Sequence, residues 1–313
     1  MVHGVFRYSL CCLLLCSLLL AGCSKTAGRI DFSSRVDMMQ EETDDSHEAE
    51  NRPLRIAFAS VISPEVTRQS YRQMVDYLSR QLGRPAVLIQ RKTYEDLNIL
   101  LANGGADVAF ISTGAYASYR GMQPLELLAM TQTDGSIWYQ TYLIVPRDSE
   151  VQDFSELRGK VFAFTDPLSY SGRLSIDYLL LDQKVAPERY FKRFFYTYNH
   201  DKSIWAVANH LADAASVDSQ IYDYARRQNP QITERVRIID VLPDAPSGPV
   251  AMRSDLSEDM KERLRELFYH MHEDPEMAGA LQQVLIDRFL PPRPELYEEL
   301  RKKYDMRRSL PGE

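Results

Sequence analysis

The chain reads as an α/β protein of two lobes with a ligand cleft between them, and three observations lead there. Strand-like apolar runs alternate with helical runs from Leu54 onward, the order that builds a sheet with helical crossovers. The alternation restarts after Pro146, and a further strand-like run, Pro249 to Met252, follows the second series. Chain returning from the second series therefore completes the first. We expect lobe 1 at residues 53–143 plus 244–313 and lobe 2 at residues 144–243. Each should be a mostly parallel sheet flanked by helices.

The elements follow in order. Leu54 to Ala59 alternates as a strand, and Glu65 to Leu82 sets Val66, Tyr71, Met74, Val75, Leu78 and Leu82 on one helical face before Gly83 stops it. Ala86 to Gln90 is a strand. Thr93 caps a helix with Asp96 in its first turn and Leu97, Leu100 and Leu101 inward, ending at Gly104-Gly105. Asp107 to Ile111, Leu125 to Met130 and Gln140 to Val145 are strands. Beyond Pro146, Phe154 to Leu157 is a short helix and Lys160 to Phe164 a strand. Arg173 to Gln183 is helical, Phe191 to Tyr198 a strand, Ser203 to Leu211 a helix and Asp213 to Val217 a strand. Ile221 to Arg227 is helical, Val236 to Val241 a strand, and Ser257 to Arg288 mostly helix.

The N-terminus is of another kind. All four cysteines lie within the first 23 residues, and Leu20-Ala21-Gly22-Cys23 closes an apolar run preceded by Arg7. That is the layout of a secretory leader, too short for a spanning helix, and its ending resembles the bacterial lipobox. We expect a lipoprotein signal peptide at 1–22, lipidation at Cys23, and a tether to residue 52 whose acid-rich 37–50 cannot bury enough surface to order itself. A mature chain of this kind has no free thiol, so disulfides, thiolate catalysis and cysteine-bound metals are excluded together. The location is extracytoplasmic, on the periplasmic side of a bacterial membrane.

The remaining part, about 260 residues, suffices for one large domain or two lobes of about 100–150. A composition of 44% hydrophobic and 26% charged residues is globular, and the net charge of −7 argues against nucleic acid and anionic membrane surfaces as partners. A small anion stays admissible, because a local cluster of donors can hold one.

Three segments share one grammar: apolar strand, short polar loop, helix. They are Val108 to Ile111 with Ser112-Thr113-Gly114, Val161 to Phe164 with Thr165 to Gly172, and Phe195 to Tyr198 with Asn199-His200-Asp201-Lys202-Ser203. Such loops sit at the carboxyl ends of strands, where ligands dock. Free N–H groups at a helix start, with Ser and Thr hydroxyls beside them, bind an oxyanion without lysine or arginine. Each Ser, Thr or Asp there also reads as a simple N-cap. The second loop, Ser169-Tyr170-Ser171-Gly172, supplies more donors than one cap needs.

Phe162-Ala163-Phe164-Thr165-Asp166-Pro167-Leu168-Ser169-Tyr170-Ser171-Gly172 resembles the D-P-x-S-x-S-G segment of the periplasmic phosphonate/phosphite/phosphate-binding proteins of ABC transporters. His200-Asp201, Ala206-Val207-Ala208 and Asp213 to Ser219 are similar to that family's next stretch. The resemblance runs from about Leu54 to about Leu285 and implies a type II periplasmic-binding-protein fold closing over an oxyanion. By that resemblance Ser169, Ser171 and His200 hold the oxygens, Tyr139 lines the cleft, Asp218 sits at its edge, and Ser112 and Thr113 add donors from the other lobe. Tyr170 stands where many members have Thr, and Ser112-Thr113 where many have Gly-Pro. Asp218 either accepts a proton from the ligand, pairs with an ammonium on it, or is structural.

His270 and His272, two apart on a helix, point away from each other and make a poor metal pair. No nucleophile elbow, phosphate loop or zinc-protease motif is present, so neither cofactor nor catalysis is implied. The expected function is a lipid-anchored solute-binding protein that captures a small oxyanion (phosphonate, phosphite or phosphate) for an ABC permease. The alternative is a sensory lipoprotein using the same clamshell to signal a membrane sensor kinase.

Overall fold

The computed structural model describes residues 52–59 and 64–308. The leader, Cys23 and the tether up to residue 51 lie outside the described residues.

Strand β1 (Leu54–Ala59), helix α1 (Pro64–Leu82), β2 (Ala86–Arg91), α2 (Tyr94–Ala102), β3 (Val108–Phe110), α3 (Thr113–Ser118) and β4 (Leu125–Gln132) open the fold. The chain then enters β5 (Trp138–Pro146), a 3-10 turn at Phe154–Leu157, β6 (Val161–Phe164), a π turn at Tyr170–Leu174, α4 (Ser175–Asp182) and α5 (Pro187–Tyr190). Next come β7 (Arg193–Tyr196), α6 (His200–Ala208), β8 (Ala214–Asp218), α7 (Ser219–Gln228), α8 (Pro230–Thr233) and β9 (Val236–Pro246). It ends with β10 (Pro249–Arg253), α9 (Glu258–His270), α10 (Ala278–Gln283), β11 (Arg288–Leu290) and α11 (Glu298–Arg308).

Two sheets result, in the orders β11-β4-β10-β3-β1-β2 and β7-β6-β8-β5-β9. The central strands β1, β3, β10, β6 and β8 are buried on two faces, which is why they read as nearly continuous apolar runs, whereas β2, β7 and β9 are partly exposed. In β1, Leu54, Ile56 and Phe58 pack with α1 and α9, while Ala57 and Ala59 pack with α2 and α3. In the second sheet, Phe162 and Phe164 face α4, while Ala163, Ala215 and Val217 face Ile204 and Val207 of α6.

The sheets are mixed rather than mostly parallel. Among the described residues four pairings are parallel and five antiparallel. The cause lies in the two crossings between sheets, at 133–137 and 247–248. A strand reached through a helical crossover runs with its predecessor, but one entered directly from the facing sheet runs against its new neighbours. β5 therefore opposes β8 and β9, and β10 opposes β3 and β4. All of β5 pairs in the second sheet, so residues 138–143, expected with the first series, belong with the second.

Other boundaries moved for local reasons. The long helix expected over 257–288 stops at His270, because Asp274-Pro275 cannot continue it. A left-handed Leu285 (φ 60°) then turns the chain into β11. α6 starts at His200, not Ser203; Tyr198 (φ 63°) ends the strand before it and Asn199 is the extended cap. β9 runs on to Pro246, beyond the expected Val241.

Candidate functional site

Every site residue inferred from the sequence apart from the lipidation position lines one cavity of about 130 Å³: Ser112, Thr113, Tyr139, Ser169, Tyr170, Ser171, His200 and Asp218. Four element starts converge on it: α3, the π turn, α6 and α7. No lysine or arginine is among its described lining residues.

Ser112 caps α3 by accepting from the Ala115 N–H at 3.2 Å, and Ser169 caps the π turn by accepting from the Gly172 N–H at 3.0 Å. Capping occupies a lone pair and leaves the hydroxyl proton to donate, so cap and anion donor are compatible roles. Gly172 is required by this geometry. A β-carbon there would lie 2.4 Å from Thr165 Cβ and 2.9 Å from Ser169 Oγ.

Thr113 differs from expectation. Its hydroxyl donates to the Pro246 carbonyl at 2.8 Å, tying α3 to the β9–β10 crossing. Its side chain thus serves the crossing rather than offering a free donor. The Thr113 and Ser171 side chains lie near the Tyr139 hydroxyl and favour its ionised form slightly. Burial, then the Asp218 charge, raise the Tyr139 phenol well above its ordinary value, so it stays a proton carrier. Tyr170 lines the cavity, but its ring packs edge-on to Tyr139 (centroids 6.2 Å apart) and into a cluster with Leu174 and Leu300. Its hydroxyl is pushed up to about 12 by burial.

His200 is buried, and its Nδ1 accepts the Asp218 backbone N–H at 3.1 Å with Thr165 Oγ1 3.2 Å away. An accepting Nδ1 carries no proton, so the neutral ring bears its hydrogen on Nε2. Burial lowers the imidazole to about 3, which keeps it uncharged. Asp218 caps α7, accepting at 2.8 Å from Gln220 N–H and 3.3 Å from Ile221 N–H. Burial nonetheless pushes its carboxyl up to about 7.

The sequence reading missed two parts of this arrangement. Tyr94, Gln220 and Ser247 also line the cavity. Ser247 stands in the β9–β10 crossing, where Pro-Ser-Gly-Pro was a readable turn signal. Asp166, in the middle of the motif, accepts the Tyr94 backbone N–H at 3.2 Å and the Leu168 N–H at 2.8 Å. It therefore caps a helix of the first sheet from a loop of the second, and no local pattern announces such a contact.

The family described as "ABC transporter, phosphonate, periplasmic substrate-binding protein" matches residues 56–297. The chain is 29% identical over 157 residues to the phosphonates-binding periplasmic protein of Escherichia coli strain K12, covering 48% of this chain and 46% of that one. The match thus spans less than half of that relative's length. A solved structure similar in fold is a binding-protein component of an ABC phosphonate transporter from Pseudomonas aeruginosa. Its TM-score is 0.75 at 21% identity, covering 82% of this chain and 87% of that one. Another, from Prochlorococcus marinus in complex with methylphosphonate, has a TM-score of 0.73 at 18% identity, covering 81% and 97%. At these identities the likeness is one of fold.

Proposed function

Because this chain belongs to the phosphonate family of periplasmic substrate-binding proteins of ABC transporters and has the type II periplasmic-binding-protein fold, we propose that it captures a small tetrahedral oxyanion and presents it to a permease. One observation carries the reading. Uncharged donors from the starts of α3, the π turn and α6 meet in one cavity whose described lining holds no cationic side chain, with Asp218 at the start of α7 beside them. Helix-start N–H groups carry partial positive charge and need no reorganisation when the anion arrives. At about 130 Å³ the cavity is far smaller than the roughly 300–1,000 Å³ of sites for drug-sized ligands, which favours phosphonate, phosphite or phosphate. Two lobes built on the two sheets would close over the ligand and exclude water. Lipidation at Cys23 would hold the protein beside its permease.

The direct test is a thermal-shift screen of phosphate, phosphite, sulfate, methylphosphonate and 2-aminoethylphosphonate. At least one phosphorus oxyanion should raise the melting temperature of the wild type, and Ser169→Ala/Ser171→Ala should melt normally but lose the shift. An unchanged shift in the double variant would reject the π-turn loop as part of the site.

Asp218 adds a pH dependence whose sign tells ligands apart. Its carboxyl already sits near 7, and an anion beside it raises that value further, so the complex takes up protons. Affinity for methylphosphonate should therefore fall as pH rises through 7, at most about tenfold per pH unit. An ammonium-bearing ligand lowers the carboxyl in the complex, and its affinity should rise over the same range. The difference between wild type and Asp218→Asn cancels the ligand's own titration. Identical slopes in the two proteins would leave Asp218 a structural cap only.

A further inference from the structure

A second recess lies beside the cavity, and its chemistry is the opposite. Arg68, Arg91, Lys92 and Lys202 line it, with no acidic residue among its described lining. In a chain of net charge −7 this is a local exception. Two other basic clusters are built around a carboxylate: Asp107 holds Arg52, Arg55 and Arg253, and Glu126 holds Lys261 and Arg265. Among the described residues none of the four groove cations is paired with a carboxylate. Arg68 donates to the neutral Gln90 side chain at 3.2 Å, and Arg91 to the Gln90 carbonyl at 3.1 Å.

The groove is continuous in sequence with the cavity along three separate segments. Tyr71 of α1 lines the cavity and Arg68, one turn earlier, lines the groove. Tyr94 lines the cavity and Lys92 the groove; His200 lines the cavity and Asn199 the groove. Chain around both sheets contributes: Arg68 of α1, Arg91 at the end of β2 and Lys92 just after it on the side of the first, Tyr198 just after β7 and Lys202 of α6 on the side of the second. Tyr198 holds a left-handed backbone (φ 63°), pinned by its N–H on the Thr165 carbonyl at 2.7 Å, with Lys92 Nζ 5.3 Å from its ring centroid. A non-glycine residue kept in that region marks a place where the local structure is over-determined.

We propose that this groove is a second anion subsite, taking the other negatively charged group of a two-headed ligand whose phosphonate-like head lies in the cavity. The proposal rests on reading the cavity as an oxyanion site. The groove encloses about 630 Å³, ample for a further phosphonate, phosphate or carboxylate group. Arg68, Lys92 and Lys202 are exposed and Arg91 is half-buried, so most of their attraction is screened by salt beyond about 8 Å at physiological ionic strength.

Calorimetric titration of methylphosphonate and of methylenediphosphonate into the full chain tests this at low and physiological salt. Wild type should bind the two-headed probe about tenfold more tightly, the size of two exposed ion pairs, and less so at higher salt. Lys92→Ala/Lys202→Ala should bring that ratio close to one without changing methylphosphonate affinity, and Lys92→Arg/Lys202→Arg should retain it. An equal loss for both probes would mean long-range steering only and would overturn the subsite, as would a wild type with no preference or no binding. Ser169→Ala/Ser171→Ala separates the two readings. A cavity effect without a groove effect rejects this proposal alone, whereas a groove effect with methylphosphonate binding intact in that variant rejects the cavity reading.

Discussion

Gly114→Ala is expected to weaken oxyanion binding by about tenfold to a hundredfold while the ligand-free protein melts at the same temperature or slightly higher. Gly114 is the second residue of α3, and a β-carbon built on it would lie 2.2 Å from the Leu168 carbonyl oxygen and 2.7 Å from the Tyr170 nitrogen. Both neighbours are backbone of the facing loop, which cannot swing away as a flexible side chain would. The added methyl therefore holds α3 and the π turn apart by overpacking worth about 1–3 kcal/mol. That penalty falls only on a conformation in which the loops touch. In a free protein that spends its time open, alanine meets no obstacle and suits a helix better than glycine, by about 0.5–1 kcal/mol. Opposite signs in affinity and free-state stability are the signature. Calorimetric affinity with melting curves of both proteins without ligand decides it. Unaltered affinity would remove this contact from the bound state, and a large drop in the free melting temperature would mean the closed arrangement is the resting one.

The same contact shows which parts of the structure were readable beforehand. Strand alternation, the Thr93 cap and the strand–loop–helix segments depend on neighbours in sequence, and they appear in the order the pattern gave, with the third helix beginning three residues early. Ser112, Thr113, Ser169, Tyr170, Ser171 and His200 stood in such segments, whereas Tyr139 and Asp218 were named only through the family resemblance. What could not be read depends on chain far away. The direction of β5 and β10 follows from where the chain crosses between sheets, and a strand's sequence does not record its direction. Thr113 looks like any cap residue, and only the position of Pro246 directs its hydroxyl elsewhere. α11 escaped because Leu300 is the one buried residue among its described positions, so it carries almost no apolar stripe. It is held instead by particular polar contacts, such as Arg120 with Asp305 at 2.6 Å and Arg307 with Asp177 at 2.7 Å.

His200 is where removal of one side chain should act most strongly on binding without touching the cavity's shape elsewhere. Its ring is fixed from behind by the Asp218 N–H and sits beside Thr165, so the remaining nitrogen is a neutral donor with a set direction. A hydrogen bond from such a donor to a charged oxyanion contributes about 1.5–3 kcal/mol, and its loss in His200→Phe should weaken binding roughly ten- to hundredfold. The same change strands the buried Asp218 N–H without its acceptor, at a cost of about 1–3 kcal/mol in fold stability. His200→Gln offers a carbonyl to that N–H and an amide donor forward, and should recover most of both losses. The charge state gives an independent check. With the imidazole lowered to about 3 by burial, His200 contributes no ionisation between pH 5 and 8, and affinity in an Asp218→Asn background should show no histidine step there. The sign of the linkage is fixed. A depressed imidazole is stabilising only while neutral, so its contribution to the fold is complete above the ordinary value near 6.5 and is lost as pH falls toward 3. Nitrogen-15 shifts at pH 5 should show Nδ1 unprotonated and Nε2 protonated. An imidazolium signature at that pH would mean the cavity binds its anion with a cation after all, and the neutral-donor account would have to be given up.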